Sequence, residues 1–556
     1  MNQRAPPLAA PPNTSRWSTL LVDDAPLVPL VALSGSLLLL SAWLLVSPDR
    51  IVSKTMTWDL LFNLAGAWHL YNGQIAHVDF HDPLGSLYFG LTDVGFWLRG
   101  PAVSAIFVGQ LIITATLFVA ATVTCARRLP LLPAIVFVLF TCQLVLMPIN
   151  VGDLADDFTF AMTYNSYGWA AICVLALILF MPPRRLADFV WIDLSITSAL
   201  LVALYYIKIT YFAVAIAELV VAFLACRHIR ARWAIWGLAG ALILANAFAP
   251  YNWAYLADVL AAVESGAVRT NTYALLLMLS ANVTELSLYA ALLLVAVSLW
   301  LSGRAPPRLP LAVGALIVGG LAVLSQNAQL RGMPLGIVVA FLLYDHFRRQ
   351  SVVRARRDSM WILLALLVLP VAAAANETLS VAAYYRRATS ASPFFVVDRT
   401  NLRGLAVPYE PEPLQQFISS RTGADYSWLD RTRSIGASLR LSQFAYVQTI
   451  LEAAALFDEV EGRPGGIVLL DQVNPLPFAL GRPPPRGVSL WLDTGLPWQP
   501  AGPMFADADY VLIPKFPTYS EVTDEAVARY GAYLTQHFPG RLETRSWTLL
   551  SRRTKP

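Results

Sequence analysis

Asp59, Asp79, Asp82 and Asp93 are crowded into residues 58–99 with His69, His77 and His81, half of the chain's six histidines. The stretch, WDLLFNLAGAWHLYNGQIAHVDFHDPLGSLYFGLTDVGFWLR, is too polar to cross a bilayer and very rich in aromatic residues. That mixture suits chemistry between a lipid-borne and a water-borne reactant. The run from Trp58 to Tyr71 has helical spacing, with Asp59, Asn63 and Gly66 on one face and Leu60, Leu61, Leu64 and Ala67 on apolar faces. Such a helix lies among headgroups and holds one carboxylate at the bilayer surface. There Asp59 could take a proton from an acceptor hydroxyl while a lipid-linked donor loses its phosphate. The same acid could equally serve only to complement the helix dipole, with Thr55 or Thr57 as the cap.

Three further groups carry candidate chemistry. In an extended segment His77, Asp79 and His81 project to one side, a spacing that suits a network around sugar hydroxyls or a metal ion. An ordered loop whose histidines and acids bond its own backbone would look the same. Asp153, Asp156 and Asp157 form an acidic loop that could hold a divalent cation, or simply be solvated. Tyr164 and Asn165, with Tyr167 and Trp169, follow it as sugar-contacting groups or as an interfacial aromatic belt. Lys208, Arg331 and Glu218 lie in or beside apolar spans, where a charge implies a partner. Lys208 and Arg331 fall at one end of the spans and could bind a lipid phosphate, although Lys208 could merely snorkel.

These residues are positioned by a membrane scaffold. The chain has 556 residues, 57% hydrophobic and 14% charged, with mean hydropathy +0.56. That is the composition of a polytopic membrane protein. Eleven apolar stretches can cross a bilayer: 27–47, 101–125, 129–149, 164–181, 190–207, 210–226, 233–250, 280–301, 310–327, 332–347 and 359–374. Arg127-Arg128, Arg184-Arg185, Arg227/Arg230/Arg232, Arg304/Arg308 and Arg348–Arg357 fall in alternate loops. The positive-inside rule makes those loops and residues 1–26 cytoplasmic. Loop 48–100 and residues 377–556 then lie outside, the latter as a soluble periplasmic domain. The net charge of +4 resides in the cytoplasmic arginines and implies no nucleic acid. The first span has no cleavage site after it and is not a signal peptide. Only four of the 40 basic residues are lysines, which fits a GC-rich bacterial genome and an inner-membrane location.

The final region reads as a small α/β layer with a mainly parallel sheet. Helices are expected over 439–459 and 521–537, and strands over 466–471, 508–514 and 541–551. The four cysteines lie in or at the ends of spans, so disulfides have no part in this domain. No nucleotide-binding glycine motif is present.

Taken together, these features resemble the GT-C superfamily of integral-membrane glycosyltransferases. That superfamily includes the protein O-mannosyltransferases and the lipid A aminoarabinose transferase. The likeness covers the topology from 27 to 374, the trailing domain, and two loop features. Asp59 stands where the family keeps an acid early in the first outward loop, and Gly73, Asp79 and Pro83 match a G-x-x-x-x-x-D-x-x-x-P stretch. Leu60 follows Asp59 where the O-mannosyltransferases have a second acid, which speaks against a Ser/Thr peptide as acceptor.

The resemblance implies an inverting enzyme that moves a hexosyl or pentosyl group from a polyprenyl-phosphate sugar to a lipid or glycan acceptor on the outer face. Asp59 would be the general base, and Lys208 and Arg331 would bind the phosphate. Asn63, His77, Asp79, His81, Tyr164 and Asn165 would contact substrate. The resemblance leaves metal dependence open; a divalent cation, if bound, is expected at His77/Asp79/His81 or Asp153/Asp156/Asp157. The acceptor is expected at the C-terminal domain, with loop 474–487 nearest the membrane. The alternatives are an O-antigen-type polymerase or ligase and a transporter of lipid-linked sugars. A transporter would be expected to show inverted repeats, which the sequence lacks.

Overall fold

The computed structural model describes residues 20–21, 25–183, 190–230, 237, 240–241, 249–265, 272–326, 332–351, 357–390, 393–411, 441–459 and 465–553. Apolar runs fold into helices between prolines and polar breaks. The first, Leu27–Val46, begins after Pro26 and stops ahead of Pro48, which has no N–H to continue the ladder. Six helices among the described residues are long and apolar enough to cross a membrane: Leu27–Val46, Val103–Ala126, Thr163–Phe180, Val283–Leu301, Arg308–Ser325 and Met360–Thr389. Leu131–Leu146, Trp191–Ile207 and Ile209–Ala225 are shorter apolar helices beside them. Leu335–Ser351 occupies the tenth expected span, whereas the span expected at 233–250 lies largely outside the described residues.

Thr163–Phe180 is buried along its whole length and is the central post of the bundle. Leu131–Leu146, Val190–Ile207, Ile209–Ala225 and Leu335–Ser351 pack around it. Peripheral helices instead turn Leu39, Leu294 and Val318 away from the protein, as helices immersed in lipid do. At one end of the bundle the basic loops meet. Arg127 and Arg128 both reach Asp193, Arg128 Nε donates to the Met181 carbonyl at 2.7 Å, and Arg348 joins Asp345 to the Arg128 carbonyl. Among the described residues Arg127, Arg128, Arg348 and Arg349 therefore gather at one end, as their alternation in the sequence requires.

The last long helix runs unbroken over Arg357–Thr389 with Pro370 inside it. The domain boundary expected at 376 thus falls within a continuous helix, because the drop in hydropathy at Asn376 and Glu377 comes without a helix breaker.

Beyond it lies a four-stranded sheet in the order 466–469, 508–514, 547–551, 540–543. Gly466–Leu469 and Ala508–Pro514 are parallel, but the other two neighbours are antiparallel. The sheet is mixed, not mainly parallel. The single strand expected over 541–551 is a hairpin, closed where the Thr544 N–H bonds the Trp547 carbonyl at 2.9 Å. Helices Gln443–Glu459 and Ser520–His537 belong to the same layer.

Two small sheets stitch this region to the first loop. Ile51–Val52 pairs with Leu405–Pro408, and Phe80–His81 pairs in parallel with Val488–Ser489. Side chains add to the seam: Trp68 Nε1 donates to the Arg482 carbonyl and Gln74 Nε2 to that of Pro484, both at 2.7 Å. Loop 474–487, expected nearest the membrane, thus carries two of the bonds that hold the first loop.

Candidate active site

Asp59 sits in the first turn of helix Thr57–Tyr71. Neither threonine caps that helix by a side-chain bond. Its N-cap is Met56, held in left-handed backbone (φ 53°), and the Thr57 N–H, which has no partner within the helix, is taken by Gln443 Oε1 at 2.7 Å. A bulky residue with positive φ is strained, so its neighbours must hold it. Thr159 Oγ1 donates to the Thr55 carbonyl and the Lys54 N–H to the Phe158 carbonyl, which binds loop 53–57 to loop 158–162. This junction brings Met162 over Asp59, whose carboxylate accepts the Met162 N–H.

Asp59 is 4% exposed. Burial pushes its carboxyl up to about 7, with the Met162 N–H and the charge of Lys208 pulling the other way. A carboxylate poised near neutrality is well matched to general-base work.

Lys208 occupies a one-residue break between helices Val190–Ile207 and Ile209–Ala225, in extended backbone with φ −162° and ψ 124°. The break aims its side chain inward, and Nζ stands 5.0 Å from the centre of the Tyr164 ring. Asp59, Asp82, Tyr164 and Lys208 line one cavity of about 440 Å³. Val259, Ala262 and Val263 form an apolar wall, and Trp491 and Asp493 reach in from the C-terminal region.

Asp82 enters this cavity because the chain turns sharply at Pro83-Leu84-Gly85. Gly85 lies so close to the Tyr206 carbonyl that a Cβ would be 2.1 Å from it, and the Gly85 N–H bonds the Ile207 carbonyl at 3.0 Å. Only glycine fits there. Burial pushes the Asp82 carboxyl well above the usual range, and the nearby Asp258 and Asp59 charges add to it; the Leu84 N–H and Lys208 oppose them.

Segment 77–81 is not extended as expected. His77 has φ 65° and its N–H closes a turn on the Phe80 carbonyl at 2.7 Å. Asp79 points away, accepting the Ile75 N–H at 2.8 Å and standing 3.7 Å from Arg486 Nε. The two histidines do converge, on a residue that spacing alone did not single out. Each Nδ1 stands 3.0 Å from one oxygen of Asp258, and the Asp82 N–H adds a third bond at 3.2 Å. Asp258 belongs to helix Ala249–Glu264, whose Val259, Ala262 and Val263 make the cavity wall. Burial tends to raise its carboxyl, but the bonds from His77 and His81 outweigh that and hold it below the usual range. The two histidines thus fasten a wall of the site and do not line it.

Asn63 also departs from its expected substrate role. It is fully buried, with its amide nitrogen donating to the Tyr88 carbonyl and its oxygen accepting from Thr92 Oγ1 at 2.6 Å. It joins two interfacial helices. Asn165 accepts from the Tyr211 hydroxyl at 3.2 Å and lies outside the cavity lining, unlike its neighbour Tyr164. Asp156 pairs with Lys54 at 3.3 Å. Among the described residues no three His, Cys, Asp or Glu side chains gather as metal ligands, at Asp153/Asp156/Asp157 or elsewhere. Arg331 lies outside the described residues. Glu218 is buried against Gly319, away from the cavity lining.

Asp258, Gln443, Trp491 and Asp493 are site elements that sequence spacing missed, and Asp82 stands among the first-loop acids without a role assigned by it. Only Asp82 carried a signal, the adjacent His81 and Pro83.

No family model matches the sequence, and no curated protein matches it. Two solved structures are similar in shape. One is ArnT from Cupriavidus metallidurans bound to undecaprenyl phosphate: 11% identical, TM-score 0.46, covering 95% of this chain and 98% of that one. The other is the same protein in the apo state: 12% identical, TM-score 0.43, covering 95% and 97%.

Proposed function

We propose that the protein is a membrane glycosyltransferase that takes a sugar from a polyprenyl-phosphate donor and places it on a hydroxyl of a cell-envelope lipid or glycan. One observation carries the reading: a buried carboxylate poised at about 7 shares a cavity with a lysine at a break in the apolar helices. The arginine alternation supports assigning this end of the bundle to the outer face of the inner membrane.

The donor phosphate is drawn to Lys208, and Arg331 is assigned to the same phosphate. Asp59 removes the proton from the acceptor hydroxyl as its oxygen attacks the anomeric carbon. The bond from that carbon to the phosphate oxygen breaks, and polyprenyl phosphate leaves with the electron pair, its charge met by Lys208. The proton remains on Asp59 until solvent takes it. One displacement inverts the anomeric centre. Asp82, whose carboxyl is pushed well up by burial and whose Oδ1 accepts the Leu84 N–H, lines the same cavity beside the base.

The test is to incubate the purified protein in detergent with a panel of prenyl-phosphate sugars and envelope glycolipid acceptors. Mass spectrometry should find free prenyl phosphate and an acceptor heavier by one sugar residue. Intact donor across the panel, or movement of unaltered donor between vesicle leaflets, would point to transport instead.

A further inference from the structure

The C-terminal region puts two side chains into the cavity that the transfer chemistry does not use. They alternate with buried leucines just after the strand Val488–Ser489. Leu490 and Leu492 are buried toward the domain core, while Trp491 and Asp493, the alternate positions, line the cavity. Burial of Leu490 and Leu492 leaves the alternate side chains, Trp491 and Asp493, facing the cavity.

The segment is pinned on both sides. The Leu490 N–H bonds the His81 carbonyl at 3.1 Å and the Leu492 N–H the Gln472 carbonyl at 2.9 Å. Ser265 Oγ, just past the wall helix, donates to the Gly495 carbonyl at 3.1 Å. The Trp491 ring packs edge-on against Phe62 with centroids 5.2 Å apart. Phe62 follows Asp59 by three positions, on the same face of its helix. The indole is therefore held about one helical turn along the cavity from the base. Asp493 Oδ1 accepts the Gly495 N–H at 2.8 Å, which sets the orientation of its carboxylate.

A fixed aromatic face beside a fixed carboxylate is what a sugar ring requires. The ring packs its apolar C–H face on the indole, and two hydroxyls donate to the carboxylate. We propose that Trp491 and Asp493 form the sugar subsite for the transferred residue, resting on the glycosyltransferase reading. The cavity is then divided by charge. Lys208 draws the phosphate to one part, and Asp493 favours a neutral or amino sugar and repels an acidic one.

The test compares binding of farnesyl phosphate, farnesyl-phosphoryl mannose, farnesyl-phosphoryl arabinose and farnesyl-phosphoryl glucuronate to the detergent-solubilised full chain by native mass spectrometry. The unsubstituted protein should bind at least one neutral-sugar lipid more tightly than farnesyl phosphate, and the glucuronate more weakly than that neutral-sugar lipid. Trp491→Leu should weaken the neutral-sugar lipid about tenfold, the scale of one lost strong contact, and leave farnesyl phosphate unchanged. Trp491→Phe should retain much of the preference, which separates stacking from misfolding. Asp493→Asn should narrow the gap between neutral and acidic sugars. Equal loss for sugar-bearing and bare lipid in Trp491→Leu, or no preference in the unsubstituted protein, would overturn the subsite while leaving the transfer reading intact. Failure of the unsubstituted protein to bind any of the four lipids would overturn both.

Discussion

His81 Nδ1 and Asp258 Oδ1 stand 3.0 Å apart, joining the first loop to a helix 177 residues further along the chain. His77 makes the matching bond to the other oxygen, so one carboxylate fixes the helix that supplies the wall of the cavity. Hydrogen bonds to a charged group are worth about 1.5–3 kcal/mol each. Asp258→Ala should therefore speed amide hydrogen exchange across 249–264 and raise the donor KM more than it lowers kcat. His81→Asn can still donate from near the Nδ1 position and should behave close to the unsubstituted protein, whereas His81→Ala should not. Unchanged exchange in Asp258→Ala would contradict the anchoring role.

Activity should follow the protonation of Asp59. Its carboxyl is pushed up to about 7 and the base must be ionised, so kcat/KM should rise with pH through about 7 and then level off. Lys208 lowers that carboxyl; removing the charge in Lys208→Gln should move the rising limb to higher pH. In the folding equilibrium the sign is opposite to that of an ordinary paired carboxylate. Asp59 favours the native state below its unfolded value near 3.8, and the contribution is lost as pH rises through about 7. A limb at the ordinary carboxylate range in a pH–rate profile would contradict the assignment.

Lys208→Ala should weaken the donor and bare prenyl phosphate alike, by roughly ten- to a hundredfold, since a charge-assisted contact to phosphate is lost. Native mass spectrometry with farnesyl phosphate reads this directly. Unaltered affinity would mean that the lysine serves only the interface.

Gln443 tests the link between the C-terminal region and the base. Its side chain caps the Asp59 helix yet lies outside the cavity lining. Gln443→Ala should cost about 0.5–2 kcal/mol of stability in a thermal or denaturant melt, and should lower kcat through a displaced Asp59. Gln443→Glu can still accept the Thr57 N–H and should restore both. An unchanged melt and kcat would show that the cap is dispensable.

The membrane helices and the order of the C-terminal elements are legible in the sequence because apolar length and alternation are local signals. The positions of Asp59 and Lys208 are legible as well: one falls at the start of a helix after a span, the other at a break between spans. What spacing cannot supply is a partner distant in the chain. Asp258 lies in a helix with nothing to mark it, and only folding brings it to His77 and His81. Trp491 reads as one of 16 tryptophans until the strand just before it, Val488–Ser489, pairs with the first loop. His77 shows a different limit. Its positive φ turns the segment, so the one-sided projection expected of an extended chain does not arise for Asp79. Asn63 shares a face with Asp59 in helical periodicity, yet Tyr88 and Thr92 take its amide.

The most direct measurement is turnover and donor binding by Asp59→Asn. The substitution keeps the shape and can still accept the Met162 N–H, but removes the base. If Asp59 takes the acceptor proton, the variant should fold and bind farnesyl-phosphoryl sugar as the unsubstituted protein does, while transfer falls by about 10²–10⁴-fold. If the acid only complements the helix dipole, its loss costs at most about 1 kcal/mol of stability and leaves turnover nearly intact. Near-normal transfer by a well-folded Asp59→Asn variant would contradict the central claim.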